Sequence, residues 1–390
     1  MNIHSRVAQS IGPTPEALIS RAELLIPSLR ERAAAADRSS RLARETVQDL
    51  RDAGFFRILQ PEHFGGYGMR PSTLWQVTRQ LGRGCGSTAF LMSLLGMHCW
   101  MVGMFEPAAQ ADVFRDSADA VVPNLSIGAR RSMEAARADG GYVVSGAWDF
   151  ASGIDFADWV IAAIRVPDAS GGMEERIAVV EASAFATEAD SWDMLGARAT
   201  GSKRVSLSGR FIPDYRTIAW ADVQSGEYPG SAVNHGPLYE RTCGGSLLAL
   251  SSAAPVVAVA SAVVDHFVGA AAKRKPEQWL TIELGRSAAQ IHMAHALLIH
   301  DADEVYDAGL NDLDLSVEVQ ARHRADAAII SRTALAAADQ LLSALGTTVL
   351  RSGSAAERAL RDIHTMASHF RVQPEPACDL YGKVLLGLEG

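Results

Sequence analysis

The chain has few cysteines, and their positions exclude two common uses of that residue. Four cysteines occur in 390 residues, far apart and without a CxxC pair. Neither a disulfide framework nor a metal site with close ligand spacing is therefore expected. The first residues contain no apolar run of the kind that directs secretion. These two observations predict reduced thiols and a cytoplasmic location.

Concentrated positive charge is also lacking. The net charge is −9, and the basic run Lys273-Arg274-Lys275 is short. A nucleic-acid partner is therefore not expected. One uncharged stretch, Thr242 to Val264, has about the length of a membrane span. Its Gly, Ala and Ser content and its Pro255 favour a helix buried in a bundle or an oligomer interface, so no membrane is expected.

No motif for binding NAD(P)H or a nucleotide triphosphate is present. Gly82, Gly84 and Gly86 form a G-x-G-x-G run. Ser87 breaks the dinucleotide fingerprint, and no strand-like run precedes it. A reaction that needs reducing equivalents would therefore draw them from another protein.

The periodicity of apolar residues changes twice along the chain. It is helical from about Pro15 to Asp119 and again from Leu238 to the end. Between Ala120 and Trp220, short strand-like runs are separated by Gly, Asp and Pro. We therefore predict an α+β, mostly α protein with a helical domain (residues 1–120), a middle β domain (121–230) and a second helical domain (231–390).

Five segments, taken in order, resemble one known family. They are ILQPEHFGGYGMRPSTLWQVTRQLGRGCGST, GYVVSGAWDFASGIDFADW, GARATGSKRVSLSGRFIP, VVDHFVGAAAKRK and ALGTTVLRSGSAAERALRD. In this order and at these spacings they resemble the acyl-CoA dehydrogenase-fold flavoproteins, and among those the two-component flavin-dependent monooxygenases of the group D aromatic hydroxylase branch. The resemblance implies a middle β-barrel or sandwich, a C-terminal four-helix bundle and a homo-oligomer, expected to be a tetramer.

The departures from the dehydrogenase pattern bear on function. A dehydrogenase needs a carboxylate to remove a proton next to the thioester carbonyl. At the family's position for that base this chain has His369 and Phe370, and no acid follows until Glu375. The alternative position lies within Thr242 to Val264, which contains no acid. Dehydrogenation by the usual route is therefore disfavoured.

The resemblance implies a set of flavin contacts. It matches Ser152 to the serine near flavin N5, Arg274 to the flavin-phosphate arginine, and the Gly346 turn to a contact with a neighbouring subunit's flavin. The predicted cofactor-binding residues are Asn124, Leu125, Ser126, Phe150, Ser152, Arg274, Gly346 and Thr347.

Four residues are candidates for catalysis: His98, Ser126, His364 and His369. Histidine suits proton exchange near neutral pH. If the segment RDIHTMASHF is helical, His364 and His369 point roughly 140° apart, since a helix has 3.6 residues per turn, and both cannot face one flavin. The spacing of His369 from Arg361-Asp362 matches the family's base position, which favours His369.

The resemblance implies hydroxylation of an aromatic, phenolic or indolic, small molecule. Reduced FAD or FMN, supplied by a separate NAD(P)H:flavin reductase, would react with O2 to give a C4a-hydroperoxyflavin. The alternatives are N-oxygenation of an amino sugar, S-oxygenation, an acyl-CoA dehydrogenase with an atypical base, and a non-enzymatic binding protein. The substrate, the choice of flavin and the essential histidine stay open.

Overall fold

The computed structural model describes residues 12–125, 134–168, 171–240, 244–271 and 277–388. Two predicted flavin contacts, Ser126 and Arg274, lie outside these described residues. The helices are α1 (Pro15–Ser39), α2 (Arg44–Asp52), α3 (Pro71–Gly82), α4 (Gly86–Val102), α5 (Pro107–Phe114), α6 (Trp220–Ser225), α7 (Pro237–Glu240), α8 (Gly244–Ala271), α9 (Gln278–Leu310), α10 (Val317–Leu345), α11 (Ala355–Ala367) and α12 (Pro374–Leu385). The strands are β1 (Asn124–Leu125), β2 (Glu134–Ala138), β3 (Gly141–Ala151), β4 (Trp159–Pro167), β5 (Met173–Glu181), β6 (Ala186–Glu188), β7 (Lys203–Pro213) and β8 (Thr217–Ala219).

The strands form two four-stranded sheets, in the orders β1-β4-β5-β8 and β2-β3-β7-β6. β1 pairs with β4 in parallel, and the other pairs are antiparallel. Side chains alternate between the faces of a strand. Val160 of β4 therefore lies in the core between the sheets, whereas Ile161 packs into the helical core. The indole of Trp148 donates across the sheets to the Ala163 carbonyl at 3.1 Å. The middle module is a sandwich, and the predicted α+β, mostly α architecture is confirmed.

Helix α8 is the centre of the molecule. It packs against α3 and α4 of the N-terminal block and against α9, α10 and α11 of the C-terminal block. By length and composition it could cross a membrane, because its most apolar 18-residue segment has a mean hydropathy of 2.2. However, 94% of that segment is buried inside the protein. A helix surrounded by protein must be apolar on all sides. The predicted buried bundle helix is confirmed.

Helix α11 has a side-chain cap at its start and ends before His369. The Ser354 hydroxyl caps the helix by accepting the backbone N–H of Glu357 at 3.1 Å. The helix ends at Ala367, and the chain then makes a short 3-10 turn over Phe370–Val372. His369 therefore lies outside α11, at the start of that turn, and its direction is independent of the helix.

A buried carboxyl group on α9 makes the stability of the fold depend on pH. Asp301 is fully buried, and neither of its carboxyl oxygens has a hydrogen-bond partner among the described residues. Burial, together with the negative charges of Asp326 and Glu304, raises its pKa to about 7 against the opposing charge of Arg322. The folded protein therefore keeps this proton at pH values at which the unfolded chain has lost it.

Replacing this group with a neutral isostere should remove that pH dependence. The free energy of unfolding should decrease as the pH rises from about 4 to about 7, because only the folded state still binds the proton. Asp301→Asn should flatten the decrease and stabilise the protein at about pH 8 by roughly 1–4 kcal/mol, since one pKa unit corresponds to about 1.4 kcal/mol. Urea unfolding of both proteins at about pH 5 and pH 8 measures these free energies of unfolding. Asp190→Asn, at an exposed position, is the control. An unaltered pH profile in Asp301→Asn would contradict the prediction.

Candidate active site

His98 lies on the apolar helix α4 and is 5% exposed. Its Nδ1 is 2.9 Å from the carbonyl oxygen of Val122. A carbonyl oxygen can only accept, so Nδ1 carries the proton and Nε2 keeps a free lone pair. Burial lowers the pKa of His98 to about 3 against the opposing effect of the Val122 bond. His98 is therefore a neutral hydrogen-bond acceptor at neutral pH.

In His369 the other ring nitrogen carries the proton, so this side chain differs from His98 in what it offers a ligand. Its Nδ1 accepts the backbone N–H of Arg371 at 3.4 Å, so the neutral ring carries its proton on Nε2. The ring meets Phe90 of α4 edge to face, with the ring centres 6.4 Å apart. Burial, and then Arg371, lower the pKa of His369 to about 4. His369 therefore offers an N–H donor.

Arg371 joins the two histidines electrostatically. Its guanidinium lowers the pKa of both His98 and His369. Burial, and then Arg324, lower the pKa of Arg371 itself to about 10, so it stays charged at neutral pH. Among the described residues, no carboxylate contributes to the pKa shifts of these three groups. The sequence argument missed Arg371, although its place two residues after His369 could have indicated it.

The end of β3 carries the predicted flavin contacts Phe150 and Ser152. Phe150 has the left-handed backbone angle φ 64°, uncommon for a residue other than glycine, and is 61% exposed. Its ring meets Trp192 edge to face at 5.9 Å. Strained backbone that exposes an aromatic ring is typical of a binding site. The Ser152 hydroxyl is 2.8 Å from that of Ser202.

This strand end packs on the helix that carries His98. Gly153 lies against Leu91 and Leu95 of α4, whose methyl carbons are 3.3 and 3.4 Å from where a Cβ would stand. Leu91 and Leu95 fall between Phe90 and His98 along the helix. The fold therefore brings the end of β3, which carries Ser152, against the segment of α4 between Phe90 and His98.

At the neighbouring strand β1, the two predicted residues differ. The Asn124 amide nitrogen lies 3.3 Å from the sulfur of Met101, and its buried amide oxygen has no partner among the described residues. Leu125 is fully buried in the sandwich core, so only its backbone can meet a ligand.

The described residues fit a bound flavin. An isoalloxazine ring has aromatic faces and a polar edge with both donors and acceptors. The exposed ring of Phe150, the Ser152 hydroxyl and the unpartnered Asn124 oxygen supply aromatic surface and polar groups of this kind. These residues would hold the ring system.

Three predicted residues lie elsewhere. His364 bonds Asp339 of α10, with its Nε2 2.9 Å from the Oδ1 atom, and the structure does not bring it to His98 and His369. Gly346 and Thr347 are exposed at the C-terminal end of α10. No described atom lies within 4 Å of where a Cβ of Gly346 would stand. In a single chain both face solvent.

A buried carboxylate joins α11 to the β module. Asp362 accepts the backbone N–H of Ala197 at 2.7 Å, and burial raises its pKa to about 6. The neighbouring Gly196 approaches α11 so closely that a Cβ would lie 2.0 Å from the carbonyl oxygen of Arg361. Only glycine fits there. Because His369 follows α11 directly, this contact positions it relative to the strands.

Comparisons with known proteins agree with the fold. Family models of the acyl-CoA dehydrogenase N-terminal and C-terminal domains match residues 22–114 and 250–374. The oxygenase component of the FADH2-dependent resorcinol hydroxylase of Rhizobium sp. is 30% identical over 100% of this chain and 99% of that protein. The crystal structure of the HsaA monooxygenase from M. tuberculosis superposes with a TM-score of 0.91 at 27% identity, over 97% of this chain and 98% of that chain. XiaF from Streptomyces sp., solved with FADH2 and glycerol, gives a TM-score of 0.88 at 26% identity, over 96% of each chain.

Fold and comparisons together define a flavin-dependent oxidoreductase with the acyl-CoA dehydrogenase fold. The chain belongs to the acyl-CoA dehydrogenase-fold family of two-component flavin-dependent monooxygenases, as an oxygenase component that uses reduced flavin and O2. The resemblance identified from the sequence is confirmed.

Arg371→Gln should raise the pKa values of His98 and His369, because it removes the positive charge that lowers these values. Both values should stay below the ordinary value of about 6.5, since burial is unchanged. Histidine-selective NMR titration from about pH 4 to pH 8 measures the change for His369. Arg371→Lys keeps the charge and should leave the pKa close to the unaltered value. A His369 signal that titrates near its ordinary pKa in the unaltered protein would contradict the assignment.

Proposed function

We propose that the enzyme hydroxylates a phenol. The observation that carries the proposal is the neutral His98, whose Nδ1–H is held by Val122, whose Nε2 keeps a lone pair, and whose pKa is lowered by the charge of Arg371. A phenol O–H can donate to His98 Nε2, and Arg371 then stabilises the phenolate oxygen. A phenolate ring is more electron-rich than a phenol ring and is more easily attacked by an electrophilic oxygen. The relative that acts on resorcinol, itself a phenol, supports this substrate class.

The flavin is proposed to be FADH2, delivered by a separate reductase. A relative is named as FADH2-dependent, and XiaF was solved with FADH2. Reduced flavin supplies the electrons that activate O2. Phe150, Ser152 and Asn124 would hold its ring system, and Ser126 and Arg274 remain predicted contacts. The cytoplasmic location stays a prediction.

His98, Arg371 and His369 each have a separate role. His98 accepts a hydrogen bond from the phenol O–H at Nε2, and Arg371 stabilises the negative charge that develops on the phenol oxygen. His369 offers its Nε2–H as a hydrogen-bond donor to the reacting oxygen and so stabilises negative charge that develops on that oxygen. The apolar side chains of α4, with Phe90 9% and Leu95 4% exposed, exclude water from the reaction.

The alternatives fit the charges less well. A protonated amino sugar would be repelled by Arg371, and an apolar thiophene needs neither a lone pair nor a cation. Indole can donate its N–H to His98, but it does not form an anion that Arg371 would stabilise at neutral pH. A dehydrogenase lacks its base here, because the nearest following acid, Glu375, is exposed on α12.

The test is turnover with FADH2, O2 and matched aromatic compounds. Phenols should be converted to catechol-type products, whereas the methyl ethers of the same phenols should consume O2 without product. Amino sugars, thiophenes and acyl-CoA thioesters should give no product. Equal conversion of a phenol and its methyl ether would refute the proposed role of the hydroxyl group.

Removing each histidine should give a different defect. His369→Ala should leave FADH2 binding intact but divert O2 to hydrogen peroxide, and product per O2 should fall at least about tenfold. His98→Ala should slow product formation by about 10², because the phenol proton loses its acceptor. His364→Ala, which removes only the contact with Asp339, is the control and should stay coupled. Product and peroxide measured against O2 consumed distinguish these results. Unchanged coupling in His369→Ala would remove His369 from the mechanism.

We also propose that the protein is a homo-oligomer, with a tetramer as the expected form. Helix α9 exposes large apolar side chains at helical spacing: Trp279 is 52%, Ile282 61% and Met293 62% exposed. A stripe of this kind is costly in water and is typical of a subunit interface. Gly346 and Thr347, exposed at the end of α10, would then meet the flavin of a neighbouring subunit.

Charges placed in this stripe should reduce the assembly. The double substitution Ile282→Glu and Met293→Glu should give a smaller species in light scattering coupled to size-exclusion chromatography, because burying two unpaired carboxylates opposes association. Leu24→Glu on α1, where Leu24 is 79% exposed, is the control and should leave the mass unchanged. An unchanged mass in the double variant would place the interface elsewhere.

A further inference from the structure

Three hydroxyl groups form a continuous chain that ends at Ser152. The Ser152 oxygen is 2.8 Å from that of Ser202, and Ser202 is 2.7 Å from that of Thr200. The Thr200 hydroxyl donates to the carbonyl oxygen of Ala197 at 2.8 Å. Thr200 and Ser202 are 2% and 3% exposed, whereas Ser152 is partly exposed. We name these three residues the hydroxyl relay.

The direction of every proton in the relay follows from its inner end. A hydroxyl group has one proton, and a carbonyl oxygen only accepts. Thr200 gives its proton to Ala197, so Ser202 must donate to Thr200, and Ser152 must donate to Ser202. The Ser152 hydroxyl has one other acceptor, the carbonyl oxygen of Phe150 at 3.5 Å, and donating to it would also turn the Ser152 proton away from the open side. Ser152 therefore presents only a lone pair to its open side.

Reversing this direction is unfavourable. If Ser152 turned its proton outward, Ser202 would have to donate to Ser152, and the 2.7 Å contact with Thr200 would have no proton in it. The alternative, Thr200 donating to Ser202, leaves the Ala197 carbonyl without that bond. Either change loses a buried hydrogen bond, which is costly where water cannot replace it.

The two redox states of a flavin differ at N5 in the property that the relay selects. Reduced flavin carries a proton on N5 and donates, whereas oxidised N5 has a lone pair and accepts. We infer that Thr200 and Ser202 are positioning residues that hold Ser152 as an acceptor and so make the site bind reduced flavin in preference to oxidised flavin. This rests on the proposed placement of N5 beside Ser152. It gives an oxygenase component a physical means of admitting FADH2 and releasing spent FAD.

The packing around the relay supports this role. The turn Arg198–Thr200 packs on α4 and on α1, and Asp362 holds the N–H of Ala197. The carbonyl group of Ala197 that sets the proton direction thus belongs to a residue fixed by the C-terminal bundle. The relay cannot easily rotate to suit an oxidised flavin.

The experiment measures the dissociation constants of oxidised FAD and of photoreduced FAD, the latter without oxygen, by flavin fluorescence and absorbance. In the unaltered protein reduced FAD should bind more tightly. Thr200→Val removes the inner acceptor and frees the proton of Ser202 for Ser152. The preference for reduced FAD should then fall about tenfold, the loss expected for one misdirected hydrogen bond. For a two-electron couple this equals a decrease of about 30 mV in the potential of the bound flavin.

Two further variants keep the test decisive if Thr200→Val folds poorly. Ser202→Ala should lower the preference in the same direction, because Ser152 loses its inner acceptor. Thr200→Ser restores a hydroxyl group and should restore the preference, which a merely structural role for the threonine would not require. Thr217→Val is the matched control, since that buried threonine also donates to a carbonyl oxygen, at 2.9 Å, but lies on β8.

The outcomes separate the inference from the function on which it rests. A preference for reduced FAD that persists unchanged in Thr200→Val and Ser202→Ala, yet falls in Ser152→Ala, overturns the relay alone. If Ser152→Ala leaves the preference unchanged as well, flavin N5 does not lie beside Ser152. The inference about the relay then fails for that reason. If the unaltered protein binds no reduced FAD, the proposed function fails as well.

Discussion

The hydrogen bond from the Ala197 N–H to the buried Asp362 carboxylate is the contact on which the site depends. It attaches the first turns of α11 to the loop before β7, and Gly196 allows the two backbones to touch. On one side of this contact the Ala197 carbonyl anchors the hydroxyl relay. On the other side α11 leads to His369. A single buried bond therefore relates the strand that would hold the flavin to the helix that directly precedes His369.

Burial, more than any specific partner, determines the charge of the site. His98 and His369 both lose their positive form because the surroundings of α4 cannot solvate it, and Arg371 strengthens the effect. The remaining positive charge belongs to a guanidinium, which burial does not deprotonate near neutral pH. The result is one lone pair, one N–H and one cation with no nearby carboxylate among the described groups. This combination suits a phenol and rejects a protonated amine.

This burial arises because some elements pack against neighbours on more than one side. Strand β4 is apolar on both faces because one face fills the sandwich and the other, through Ile161, joins the helical core. Helix α8 is apolar all round because helices of both blocks enclose it. Helix α4 packs against α3 and α8, and His98 on it is therefore desolvated.

Much of the plan was readable from the sequence alone. The change from helical to alternating periodicity located the strands, and the order of five motifs indicated the family, its flavin and its lost carboxylate. Local pattern suffices for these features because periodicity and turn residues act over a few positions. The sequence argument set His369 against His364 by assuming that both lie on one helix, but α11 ends before His369, so the 140° relation does not apply.

Tertiary structure alone decided the polarity of each group. Nothing near His98 in sequence indicates that Val122 takes its Nδ1 proton, because that contact joins α4 to a distant loop. The partnership of Arg371 with both histidines and the relay from Ala197 to Ser152 likewise join segments far apart in the chain. Proton positions follow from which atoms become neighbours on folding, and that depends on how the layers pack. The sequence by itself determined the family and the fold, whereas only packing decided which atoms donate and which accept.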